Sequence, residues 1–66
     1  MGLKIKLRRI ELGIKQKDLA NIVGVSQQYL GKLENGKVIN PGKDLMIKIS
    51  KALDAGVLEL FFSEEN

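Results

Sequence analysis

Gln27, Gln28 and Lys32, two adjacent glutamines and a lysine one turn later, are the residues of this chain best suited to recognition chemistry. A carboxamide donates and accepts at once, so it can make two parallel hydrogen bonds to a planar edge. Lysine adds a point charge with three donors. Nothing comparable is available for catalysis. The chain has no histidine and no cysteine, so it lacks the commonest general base and the thiolate nucleophile. Its acids are scattered, and no glycine-rich GxxxxGKS/T phosphate loop is present. Asn35-Gly36 and Asn40-Pro41-Gly42 are turn chemistry, and Glu64-Glu65 is a solvated end. No enzyme activity, metal or cofactor is expected. Without cysteine there is no disulfide staple, which suits the cytoplasm.

The elements that must position the glutamines lie between Gln16 and Glu34, in QKDLANIVGVSQQYLGKLE. The spacing predicts two short helices joined by a tight turn. In the first, Leu19, Ala20 and Val23 recur at helical spacing. Gly24 can take a left-handed conformation and end it. Val25 is expected to be a buried plug, and Ser26 is a good N-cap for the next helix. That helix, Gln27 to Glu34, buries Leu30 and Leu33 and leaves Gln27, Gln28, Gly31 and Lys32 outside. Helices this short are marginal alone, since isolated helices below about 12–15 residues barely form. Neighbours must hold them, and the outer one must offer its polar face to a partner. That face has no large apolar residue for a protein groove. Its amides suit base-pair edges in a major groove.

The rest of the chain bounds this reading. Sixty-six residues make one domain; such a chain buries only about 60% of the surface its unfolded form exposes, so dimerisation would help it. No apolar run approaches the roughly 18 residues of a membrane span, and the start lacks a signal peptide's apolar core. The net charge of +3 is unevenly spread. Residues 1–43 carry nine Lys/Arg against three acids, a balance of +6, and residues 44–66 two Lys against five acids, a balance of −3. A basic front suggests an anionic partner on one side; chance unevenness is the plainer alternative.

In chain order, Met1 and Gly2 are expected to fray. Lys6 stands where an N-myristoylation signal requires Ser or Thr, so lipidation is not expected. A first helix is predicted from Leu3 to Leu12, burying Leu3, Leu7 and Ile10, with Ile5 and Leu12 widening the stripe and Lys4, Lys6, Arg8 and Glu11 mostly outside. Gly13 ends it. Pro41 starts a fourth helix or directly precedes it. There Leu45, Ile49, Ala52 and Leu53 form the buried stripe, with Met46 beside them and Lys43, Lys48 and Lys51 outside. Asp54-Ala55-Gly56 breaks this helix, and a last turn or two, Val57 to Phe62, closes the core. Leu58 and Phe62 are surplus apolar side chains there, a candidate dimer patch or else a loose C-terminal cluster. In the loop before the fourth helix, Val38 and Ile39 either cover the core or add to the dimer contact. Residues 63–66 form an acidic tail.

Arg9, Gly13, Gln16, Leu19-Ala20, Gly24-Val25-Ser26, Leu30, Leu33-Glu34-Asn35-Gly36, Pro41 and Ala52-Leu53 stand in register over most of the chain. In that pattern it resembles the Cro/C1-type (XRE-like) helix-turn-helix family, and in this segment the phage 434-type repressors. The resemblance implies an all-α, compact five-helix, lambda-repressor-like fold with the helix-turn-helix at helices 2 and 3, residues 16–34. It implies that Arg9 pairs with Glu34, tying helix 1 to helix 3; the alternative is an exposed arginine contributing little. Gln27 and Gln28 match base-reading glutamines, and glutamine can bond adenine at N6 and N7. Lys32 matches another base-reading position where the relatives carry glutamine, so the bases read should differ. Lys15 replaces the usual cap of helix 2, weakening its start by up to about 1 kcal/mol, and adds charge where the family touches the DNA backbone. Gln16 is placed to donate to a phosphate, or is simply a solvated first-turn residue. Tyr29 either places its hydroxyl on a phosphate or packs inward. The resemblance implies further backbone contacts from Asn35, Lys37 and Lys43. Gly31 is costly mid-helix, about 1 kcal/mol relative to alanine, unless its missing side chain lets the helix sit close to the groove.

The expected function is sequence-specific binding of double-stranded operator DNA as a homodimer, most simply as a repressor. The rival is a protein-binding module, such as an antitoxin or co-regulator, whose main partner is another protein.

Overall fold

The computed structural model describes residues 2–38 and 40–62. Five helical elements follow one another, and no strand occurs among the described residues: α1 (Leu3–Glu11), α2 (Gln16–Val23), α3 (Gln27–Glu34), α4 (Lys43–Leu53) and a closing π-helical turn, α5 (Leu58–Phe62). The all-α, five-helix architecture expected from the sequence is therefore present.

The core is apolar and draws on every helix. Ile5, Leu19, Leu30, Leu33, Ile49 and Leu53 are fully buried, with Ala20, Val23, Leu60 and Phe61 around them. Val25, Val38, Leu45, Met46 and Ala52 pack against this cluster while partly buried. Val25 is thus half-covered and not the sealed plug that its place in the turn suggests. α2 packs on both α3 and α4, and α1 on α3, α4 and α5. Short helices with poor intrinsic stability are held by this shared apolar burial.

The helix ends follow one pattern. After α1 the Gly13 N–H bonds the Ile10 carbonyl and the Ile14 N–H that of Arg9; after α2 Gly24 bonds Asn21, and Val25 bonds Ala20. The same paired bonds follow α3, from Gly36 to Leu33 and from Lys37 to Lys32. This arrangement satisfies the last helical carbonyls and needs a left-handed residue. Glycine supplies it three times, but at the end of α4 it is Asp54, with φ of 50°. The break after α4 therefore turns on Asp54 and not on Gly56.

α1 departs most from the sequence expectation. Its buried residues are Ile5 and Arg9. Leu3, Leu7, Ile10 and Leu12 are exposed, Leu7 and Ile10 by 55% and 54%. The apolar stripe that periodicity picks out lies on the far side of the helix, because a charged residue, Arg9, takes an inward position. Gly2 is not frayed either. It is buried, and its carbonyl accepts from the Ile5 and Lys6 N–H groups. Arg8 is only partly outside. Its Nε donates to the Leu53 carbonyl at 2.9 Å and its Nη2 to that of Asp54 at 3.3 Å, while Nη1 meets Glu11 Oε1 at 2.8 Å. Arg8 thereby caps the C-terminus of α4 with positive charge, where the helix dipole favours it.

Pro41 neither starts α4 nor directly precedes it. Gly42 intervenes with φ of 87°, and the helix begins at Lys43. Leu58 and Phe62 are exposed by 75% and 60%. Ile39 and the acidic tail, residues 63–66, lie outside the described residues.

Candidate nucleic-acid interface

α3 presents its polar residues because of how it is held from behind. Leu30 and Leu33 are fully buried, so Gln27, Gln28 and Lys32 fall on the solvent side, where all three are exposed. The start of the helix is fixed by Ser26, whose hydroxyl accepts the Tyr29 N–H at 3.0 Å. That bond satisfies one of the N–H groups that a helix start leaves open.

The C-terminal end of α3 is fixed by charge. Arg9 Nε donates to Glu34 Oε2 at 2.7 Å and Nη2 donates to Oε1 at 3.2 Å. Both side chains are nearly sealed, at 11% and 2% exposure. The third guanidinium nitrogen, Nη1, donates to the Ile14 carbonyl at 2.9 Å, so one side chain binds α1, the α1–α2 connection and α3 together. A planar guanidinium meets a carboxylate through two bonds, which fixes direction as well as distance.

Gln16 is less free than its place at a helix start suggests. Its Nε2 donates to Glu34 Oε1 at 3.1 Å, and its Oε1 accepts from Gln27 Nε2 at 3.3 Å. The sequence holds no local signal for this inward turn, because the acceptor lies eighteen positions on. Lys15, the residue before α2, makes no side-chain cap. It is exposed, as are Asn35 and Lys37 after α3, while Tyr29 is half-buried. Lys43 lines an open groove between the start of α4 and the Gly24-Val25 turn. The sequence reading missed Arg8, which fixes α4 against α1. Its signal is faint, since an arginine next to a second arginine reads as one more surface charge.

Two short helices at a tight turn, the second aimed outward by a buried leucine pair and an ion pair, define a helix-turn-helix domain. A family model described as helix-turn-helix matches residues 5–60, and the chain belongs to that family, in its Cro/C1-type branch. It is 38% identical over 64 residues to the HTH-type transcriptional regulator SlrR of Bacillus subtilis, which covers 97% of this chain and 42% of SlrR. Among solved structures, the N-terminal DNA binding domain of SinR from Bacillus subtilis superposes with a TM-score of 0.87 at 32% identity, over 98% of this chain and 94% of that one. A SinR protein/SinI protein complex gives a TM-score of 0.87 at 33% identity, over 97% of this chain and 62% of that one. The chain thus spans less than half the length of SlrR. Relatives of this kind are regulators and not enzymes.

Proposed function

We propose that this chain binds double-stranded DNA in a sequence-dependent way, laying α3 in the major groove as part of a transcriptional regulator. The observation that carries the reading is the exposed row Gln27, Gln28 and Lys32, backed by a helix fixed at both ends. Family membership and the likeness to the SinR DNA binding domain support it. In this reading Gln27 and Gln28 meet adenine edges and Lys32 a guanine edge or a phosphate. Lys15, Asn35, Lys37 and Lys43 meet the sugar–phosphate backbone, with Tyr29 beside them. Gln16, with one N–H committed to Glu34, has a second to offer a phosphate. The protein acts as a homodimer on a two-fold-symmetric operator, as a repressor, with half-sites about 34–36 Å apart. Leu58, Phe62 and Ile39 are its proposed contacts.

A second reading is favoured by the exposed apolar side chains. Leu3, Leu7 and Ile10 on α1 and Leu58 and Phe62 on α5 are many for a surface of this size, and such residues mark association surfaces. They suit a protein partner as well as a second copy, and a structural relative is itself a complex of two proteins. A lipid-spanning role has no support: no helix among the described residues is long and apolar enough to cross a membrane.

Selection of binding sites from a random DNA pool at two salt concentrations tests the choice. Enrichment of a two-fold site with adenine in each half, with affinity falling steeply as salt rises, is the expected result. No enrichment and weak binding at both salts would instead favour the protein-binding module.

A further inference from the structure

Asn35 and Gly36, which end α3, form a pair whose side chain and backbone can react with each other. Of the asparagines followed by another residue, only Asn35 precedes a glycine, and glycine has no β-carbon to obstruct ring closure. Asn21 is followed by the branched Ile22, and Asn40 by Pro41, whose nitrogen carries no hydrogen to lose. The reaction open to Asn35 is deamidation. The Gly36 backbone nitrogen bonds to Asn35 Cγ, its proton passes to the departing NH2, and ammonia leaves. Water then opens the cyclic imide at either carbonyl, leaving aspartate or isoaspartate. Nothing is oxidised or reduced.

The fold sets two opposing conditions for this step. Asn35 is exposed, so water reaches its carboxamide. The Gly36 N–H, however, donates to the Leu33 carbonyl at 3.1 Å, and the Asn35 and Lys37 N–H groups donate to those of Gly31 and Lys32 at 3.1 and 2.9 Å. While the end of α3 is closed, the proton that must leave Gly36 is committed to Leu33. The ring can close only when these bonds open, and helix ends open at low cost.

We propose that Asn35 is a site of non-enzymatic deamidation, gated by opening of the C-terminal turn of α3, and that the product weakens DNA binding. The loss of binding rests on the DNA-binding reading above. Lys32 and Lys37, both exposed, flank Asn35 in sequence. A carboxylate between them opposes their charge and repels phosphates. The isoaspartate form also adds a carbon to the main chain, which misaligns the paired bonds at the helix end.

The test follows deamidation at position 35 by peptide mass. It compares the folded parent, the same chain in denaturant, and Gly31→Ala, which keeps the backbone bonds and stabilises α3. The folded parent is expected to react roughly tenfold or more slowly than the unfolded chain, since a local opening must come first. Gly31→Ala should slow it by a further two- to fivefold, roughly the gain in helix propensity. Asn21 and Asn40 should stay intact. Equal rates in the folded and unfolded chains, an unchanged rate in Gly31→Ala, or no product from the folded parent overturns the gated site. Affinity for random-sequence duplex DNA tests the consequence. Asn35→Asp should bind roughly three- to tenfold more weakly than Asn35→Ala, with the gap closing as salt rises. Equal affinities overturn the loss of binding. A parent that binds no DNA overturns the DNA-binding reading and the consequence with it, while the masses still decide the modification.

Discussion

A β-carbon on Gly2 would lie 1.8 Å from the carbonyl oxygen of Leu33 and 2.7 Å from Glu34 Cα. The start of α1 is thus seated directly on the backbone at the end of α3, closer than any other residue type allows. The φ of Gly2 is an ordinary −89°, so glycine is needed for space and not for backbone freedom. Gly2→Ala should force the two helices apart and cost about 1–3 kcal/mol, the range of an overpacked core. Denaturant unfolding of the two proteins measures it. An unchanged midpoint would mean that α1 does not rest on α3 in solution.

Arg9 and Glu34 form the other link between the same helices. Arg9→Met leaves the Glu34 carboxylate buried without its counter-charge, at an expected cost of about 3–5 kcal/mol. Adding Glu34→Leu should recover most of that loss, because an apolar replacement of a buried pair is often close to neutral. A loss below about 1 kcal/mol for Arg9→Met would fit a solvated pair, which contributes little.

Gly31 separates propensity from packing. A β-carbon there would sit 3.5 Å from Gln16 Nε2, an ordinary contact. Gly31→Ala should therefore keep most of the helix-propensity gain, about 1 kcal/mol. In a domain of this size that raises the melting temperature by roughly 4–8 °C. A lower melting temperature would show that the Gln16 contact is tighter than its geometry implies.

Much of the fold is legible in the sequence wherever burial follows apolar spacing. Leu19, Leu30, Leu33, Ile49 and Leu53 sit inward as their periodicity predicts, and Gly24 and Ser26 perform the turn and cap that their chemistry suits. α1 is illegible for a physical reason. Its inward face is held by a charge pair, and periodicity counts only apolar residues. The inward turn of Gln16 and the capping by Arg8 depend on partners eighteen and forty-five positions away. The seat of Gly2 is a backbone-to-backbone fit, which leaves no pattern in side-chain type. On the candidate interface, the sequence supplies residue types and the helix that carries them, while the turn of Gln16 toward Glu34 emerges only in the folded chain.

Lys37 stands exposed just past the end of α3 and is proposed to touch a phosphate. Lys37→Ala should weaken binding to all DNA sequences alike. It should also flatten the dependence of log affinity on log salt by about one unit, as expected for one lost phosphate contact. An unchanged slope would remove Lys37 from the interface.

The central claim, that α3 reads bases, is tested most directly by the affinity of Gln28→Ala for a selected site and for random DNA. The expected loss is about 1–3 kcal/mol on the selected site, with little change on random sequence. Equal losses on both would contradict it, placing Gln28 among the backbone contacts or outside the interface.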